Sequence, residues 1–217
     1  MTLFTNLLQK LAVLTLAAAA TAVAPAEAGP LSRAGLIDVR THARTIQIDL
    51  RYATANNFTG ARLPGYCKPI AVLRRPAAAA LGRVHKRLAK QELGLLVYDA
   101  YRPARATRAM VRWAQRTDNE WVLDQGYVAR RSNHNQGAAI DLTLVRLSDS
   151  RTLGMGTSYD AFTAKSHTAN ARGTALKNRL TLKRAMESFG FRNYRREWWH
   201  YDFPRAAGPA LDIPLGC

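Results

Sequence analysis

The chain has 217 residues, two cysteines and a formal net charge of +17. That length suits one domain with a substantial core and is short for two. The basic residues are scattered (Arg74 and Arg75, Arg83, Lys86 and Arg87, Arg130 and Arg131, Arg195 and Arg196), with no basic helix or arginine-rich tail. This disfavours specific nucleic-acid binding and leaves a solvated cationic surface suited to an anionic envelope.

In chain order, Lys10 precedes the apolar run "LAVLTLAAAATAVA", then Pro25 and the pattern Ala26-Glu27-Ala28. A basic start, an apolar core and an A-x-A site make residues 1–28 a secretory signal peptide, with cleavage before Gly29. The alternative, a membrane anchor, is disfavoured because a span wants about 20 apolar residues. Residues 29–217 are then the mature domain, and no later stretch is apolar enough to span. The segment carries one Lys and one Glu, so its removal leaves the net charge at +17.

"TIQIDLRYA" (45–53) alternates Ile46, Ile48 and Leu50 with polar neighbours and predicts a strand. "NNFTGARLPGY" (56–66) predicts a loop. Pro76 to Glu92 predicts a helix with Ala80, Leu81, Val84 and Leu88 at helical spacing, stopped by Gly94. "LLVYDA" (95–100) is strand-like. Pro103 to Thr117 predicts a second helix, with Ala106, Met110 and Trp113 on one face. A third runs from Thr174 to Phe189, with Leu176, Leu180, Met186 and Phe189, and stops at Gly190. "EWWHYDF" (197–203) closes the series as an aromatic strand. Helices and strands mix without a βαβ rhythm, so the fold class is α+β: one domain, a small antiparallel sheet flanked by helices.

Two cysteines, Cys67 and Cys217, allow one pairing. An exported chain lives where disulfides persist, and a Cys67–Cys217 bridge would close a very long loop, a stabilisation of about 2–4 kcal/mol. Two unrelated thiols are the alternative; compartment and even count favour the bridge.

The chemistry concentrates in "SNHNQGAAIDL" (132–142). In "AAIDLTL", Ile140, Leu142 and Leu144 point one way, and Asp141 and Thr143 the other. If that second side is enclosed, Asp141 needs a partner. His134 lies upstream across a flexible "NQG" turn, and His200 lies in "EWWHY" with Glu197 three residues before it. Two imidazoles and a carboxylate suit an open zinc site, with a fourth position for water. Glu197 is the spare acid able to take that water's proton. Positions three apart face opposite sides of a strand, so Glu197 and His200 share a site only if the strand bends or begins after Glu197. Each residue also has a plainer role: Asp141 as a backbone cap, Glu197 as an arginine's partner. His42, His85 and His167 show that histidines occur here without ligand spacing.

"SNHNQGAAIDLTL" resembles the SxHxxGxAxD signature of the D-alanyl-D-alanine dipeptidases, zinc peptidases that include the vancomycin-resistance dipeptidases. "YATANNFTG" (52–60), "DAYRPARA" (99–106), "MGTSYDAF" (155–162), "RLTLKRAMESFGF" (179–191) and "EWWHY" (197–201) have family counterparts in the same order. The resemblance implies one zinc ion held by His134, Asp141 and His200. It implies Glu197 as catalytic acid/base and Arg102 as the stabiliser of the tetrahedral intermediate, a job suited to a permanently charged planar donor. It also implies that Ser132 and Asp160 hold the free ammonium of a dipeptide, and that Tyr52 lines the pocket. Without the resemblance, Arg102 reads as a structural residue beside Pro103 and Tyr52 as core. The tail departs from the pattern: after Tyr201 the chain runs almost at once to "LDIPLGC", where some relatives are longer.

The expectation is a zinc dipeptidase splitting D-Ala-D-Ala during cell-wall turnover in the periplasm or outside the cell. Its partner is a small dipeptide, with electrostatic association to an anionic envelope and no specific nucleic acid. The rivals are a zinc D,D-carboxypeptidase or endopeptidase acting on peptidoglycan peptides, and a basic envelope-binding protein without activity.

Overall fold

The computed structural model of the protein describes residues 29–217; the expected signal segment lies outside the described residues. Two strands form the centre. β4 (Leu93–Asp99) and β5 (Ala139–Arg146) run antiparallel, pairing Leu95 with Leu144 and Val97 with Leu142. Those four side chains and Ile140 are fully buried. The alternating partners Asp141 and Thr143 are buried as well. The second side of the strand is therefore enclosed, covered by the segment that follows Thr152.

β7 (His200–Asp202) adds to β5 antiparallel, and β6 (Arg192–Asn193) pairs antiparallel with β7. On the other edge β2 (Gln47–Ile48) joins β4 in parallel, so the five-stranded sheet is mixed rather than wholly antiparallel. A separate antiparallel pair joins β1 (Leu36–Asp38) to β3 (Val72–Arg74). The architecture is α+β.

The strand expected over 45–53 shortens to β2. The chain leaves the sheet and turns through a 3-10 helix at Arg51–Ala53. That turn buries the Tyr52 ring edge-on to Phe58 and Tyr66, so tertiary packing overrides local alternation. The strand expected over 197–203 begins only at His200; Glu197 sits in the preceding turn, where its side chain is free of strand alternation.

Besides two single-turn helices, α1 (Pro30–Arg33) and α4 (Trp121–Asp124), the helices α2 (Arg75–Ala89) and α3 (Ala104–Arg116) match their expected spans to within a few residues. Pro76 sits in the first turn of α2, where its missing N–H costs nothing. Helix α5 (Gly173–Glu187) forms as expected, and of its expected face Met186 is buried while Leu176, Leu180 and Phe189 are half-buried; Asn178, Arg179, Leu182 and Ala185 complete the buried face. The buried polar pair is satisfied. Arg179 donates to the carbonyls of Met155, Lys165 and His167 at 2.7, 3.0 and 2.7 Å, and Asn178 donates to that of Gly154 at 2.9 Å. No described helix is long and apolar enough to cross a membrane.

Cys67 and Cys217 are joined, 150 residues apart, with Cα atoms 5.1 Å apart. Backbone bonds fasten the same tail: Leu215 donates to Gly65 at 2.7 Å and Leu211 to Asn135 at 2.8 Å, while Leu211 accepts from Ala104 at 3.0 Å. The C-terminus thereby straps the segments that carry Arg102 and His134.

Candidate active site

Three strands bring the polar residues into one row. Asp99 of β4 pairs with Asp141 of β5, across a bulge after Val97, and Asp141 pairs with His200 of β7. His134 reaches the row from outside the sheet. It rides a 3-10 turn, Asn133–Gln136, whose N-cap Ser132 accepts the His134 N–H at 3.2 Å. Gly137 ends the turn at φ 69°, and a side chain there would collide with Leu36. The turn is stitched to "YRP": Arg102 N donates to His134 O at 3.1 Å, and the Asn135 amide donates to Arg102 O at 2.9 Å.

The three expected ligands converge. Nε2 of His134 lies 3.1 Å from Nδ1 of His200 and 3.3 Å from Oδ1 of Asp141, and those two atoms are 2.9 Å apart. A tetrahedron with arms of about 2.0–2.1 Å, the usual zinc–nitrogen and zinc–oxygen lengths, has edges of about 3.3 Å. The outer ring nitrogens are spoken for. Nδ1 of His134 lies 2.6 Å from the carbonyl of Ala100, and Nε2 of His200 lies 3.1 Å from Asp202, which also accepts from Asn133 at 3.0 Å. Those acceptors take one N–H from each neutral ring, so both inward nitrogens present lone pairs. In the neutral rings, two lone pairs and a carboxylate oxygen face one point, an arrangement that suits a cation. These residues could hold a metal ion.

Without a metal, a proton takes that place. Burial opposes a charge on His200, but bonds to Asp141 and Asp202 outweigh it and push the imidazole well above its usual value. Burial likewise opposes the charge of Asp141, and the two imidazoles hold it well below the usual carboxylate range.

Glu197 is buried with Oε2 3.9 Å from Nδ1 of His200. Burial, reinforced by Asp141 and opposed by the His200 charge, pushes its carboxyl up to about 8. An acid tuned close to neutrality is suited to taking and returning a proton. Arg102 is buried beside it. Its Nε and Nη2 are committed to Asp99 at 2.9 and 2.7 Å, and the guanidinium lies 5.0 Å over the Tyr52 ring. Among the described residues, Nη1 has only the soft sulfur of Met110, at 3.5 Å. Asp160, in a left-handed turn at φ 57°, accepts the Tyr52 hydroxyl at 3.0 and 3.2 Å. Burial and the neighbouring Asp141 raise its carboxyl well above the ordinary value; an added positive group would relieve that. All eight expected residues line one cavity of about 270 Å³, below the roughly 300–1,000 Å³ common for drug-sized ligands.

Four contributors were not singled out in the sequence. Asp99, wholly buried, anchors Arg102, accepts the Tyr66 hydroxyl at 2.5 Å and lies 3.4 Å from His134; the spacing Asp99-x-x-Arg102 was its signal. Asp202 orients His200, and their i, i+2 spacing on a strand was legible. Tyr159 donates to Asp141 at 2.9 Å. Arg179 pins the segment that carries Asp160. Neither of the last two has a local signal.

A mixed α+β domain that gathers two imidazoles, a carboxylate, a buried acid and a buried guanidinium around a small cavity has the construction of a metal-dependent peptidase. Residues 32–214 match the Peptidase_M15 sequence profile, described as D-ala-D-ala dipeptidase. A D-alanyl-D-alanine dipeptidase of Streptomyces coelicolor is 35% identical over 187 residues, covering 78% of this chain and 93% of the relative. One from Escherichia coli is 36% identical over 185 residues, covering 84% and 92%. A crystal structure of the vancomycin-resistance D,D-dipeptidase VanXYg with a D-Ala-D-Ala phosphinate analogue is 17% identical, with a TM-score of 0.42 and coverage of 77% of this chain and 66% of that one. The chain belongs to the M15 D-Ala-D-Ala dipeptidase family of metallopeptidases.

Proposed function

We propose that the protein hydrolyses the free dipeptide D-Ala-D-Ala to two D-Ala, with one zinc ion held by His134, Asp141 and His200. The observation that carries this reading is the convergence of three ligand atoms, each pair 2.9–3.3 Å apart, beside the buried Glu197, whose Oε2 lies 3.9 Å from Nδ1 of His200. Zinc bound there supplies Lewis acidity toward water and toward the scissile carbonyl.

The chain's own residues do the rest. Glu197 takes a proton from the attacking water and returns it to the leaving amine. Arg102 offers Nη1 to the developing oxyanion, while Asp99 keeps the guanidinium from turning away. Asp160, with Tyr52 and the Ser132 hydroxyl, holds the substrate ammonium. The small volume of the cavity, about 270 Å³, favours a dipeptide over a peptide chain.

The compartment belongs to the same proposal. The apolar run and A-x-A site of residues 1–28 argue for export to the periplasm or beyond, and a bridge such as Cys67–Cys217 persists in an oxidising compartment. There the enzyme meets D-Ala-D-Ala released during wall turnover, and its charge of +17 favours loose association with the anionic envelope.

The test is a substrate panel on the zinc-loaded protein: D-Ala-D-Ala, its N-acetyl form, L-Ala-L-Ala and a pentapeptide ending in D-Ala-D-Ala. Cleavage of the free dipeptide alone supports the reading. Release of D-Ala from the pentapeptide points to a carboxypeptidase, and inactivity with zinc bound points to a binding protein. Fractionation of the native host should find a form starting near Gly29 outside the cytosol; an unprocessed cytosolic form overturns the localisation.

A further inference from the structure

Asp141 has two oxygens with different partners. Oδ1 faces the imidazoles, 2.9 Å from His200 and 3.3 Å from His134. Oδ2 faces the Tyr159 hydroxyl at 2.9 Å. The next donor to Oδ2, Nη2 of Arg102, is 3.8 Å away and committed to Asp99 at 2.7 Å; 3.8 Å is beyond a hydrogen bond. The same Tyr159 hydroxyl lies 3.1 Å from that of Tyr52, which in turn donates to Asp160. Each phenol has one proton. With that of Tyr52 on Asp160, that of Tyr159 goes to Asp141, because a carboxylate is a better acceptor than a phenol oxygen.

The Tyr159 ring is held without help from its hydroxyl. It stacks on Tyr98 at 4.6 Å between centroids and meets Trp199 edge-on at 5.5 Å. Removing the oxygen therefore leaves the ring seated.

We infer that Tyr159 is a positioning residue that ties up Oδ2 of Asp141, so that this carboxylate presents Oδ1 alone to the metal. Two phenols then stand between the carboxylate that serves the metal and the one that serves the ammonium. Each carboxylate keeps its own proton donor, and neither turns toward the other's cation. The inference rests on the metal site proposed above and specifies how one of its ligands is held.

Tyr159→Phe tests it in the full mature chain. Zinc affinity is measured by chelator competition, and the ligand geometry by the visible spectrum of the cobalt-substituted protein, which responds to coordination. Loss of an outer-shell partner typically costs about 10–100-fold in metal affinity or activity, so zinc should bind about 10-fold more weakly or worse. The cobalt spectrum should shift as Oδ2 becomes free to bind. Tyr98→Phe is the control: that phenol makes no hydrogen bond among the described residues, and its removal should leave both readouts unchanged. An unchanged melting temperature for Tyr159→Phe shows that the ring is still seated. Zinc affinity within two-fold of the parent and an unaltered cobalt spectrum would overturn the inference. A parent protein that binds no zinc would instead sink the metal site itself, so the two failures are distinguishable.

Discussion

Asp141 and His200 stand directly opposite each other in the ladder between β5 and β7, with Oδ1 and Nδ1 2.9 Å apart. Neighbouring strands lie about 4.8 Å apart, so register alone delivers two of the three proposed ligand atoms. His200→Ala removes one of them and should abolish tight zinc binding together with activity. Because a proton competes for the same nitrogen, zinc affinity of the parent should fall as pH drops. Metal analysis after dialysis checks both, and a tightly zinc-loaded His200→Ala protein would refute the ligand assignment.

Glu197→Gln should keep zinc and lose about 10²–10⁴ in kcat. It also carries a stability signature in the metal-free protein. Glu197 is pushed up from 4.5 to about 8, so between those values the folded state binds more protons than the unfolded. Its contribution is therefore fully present below 4.5 and is lost as pH rises through 8. The glutamine variant, which cannot ionise, should gain stability over the parent from pH 5 to pH 9. Denaturant melts of both proteins at the two pH values decide this.

Asp160→Asn deletes the charge proposed to pair with the substrate ammonium. KM for D-Ala-D-Ala should rise steeply, while the already poor turnover of N-acetyl-D-Ala-D-Ala should change little. Equal hydrolysis of blocked and free dipeptides by the parent would remove this role.

Asp99→Ala leaves the buried guanidinium of Arg102 and the Tyr66 hydroxyl without their shared acceptor. Breaking a buried pair from one side typically costs about 3–5 kcal/mol. Stability should fall by that order, and kcat should fall with it because Arg102 loses its aim. A double-mutant cycle with Arg102→Met separates the two effects.

Cys217→Ser opens the 150-residue loop and frees the tail bonded to Asn135 and Ala104. A stability loss of about 2–4 kcal/mol is expected, read as a lower denaturation midpoint that matches the parent under reductant.

The candidate ligand trio and the acid proposed beside it were legible because each sits in a short segment whose chemistry stands out locally: a histidine before a glycine turn, a carboxylate in an apolar strand, a histidine after an acid. The sequence by itself determined those residues, the two central strands, the three long helices and the only cysteine pairing the chain allows. Packing decided what local pattern does not encode. Tyr52 left its alternating strand because its ring had neighbours elsewhere. Helix α5 turned Arg179 inward because the carbonyls of a distant segment satisfied the guanidinium. Asp99 and Tyr159 became part of the site because sheet register and ring stacking placed them against Arg102 and Asp141. A buried polar group takes its meaning from its partner, and partners 18 to 108 residues away in sequence, such as Tyr159 for Asp141 or Asp160 for Tyr52, exist only once the chain has folded.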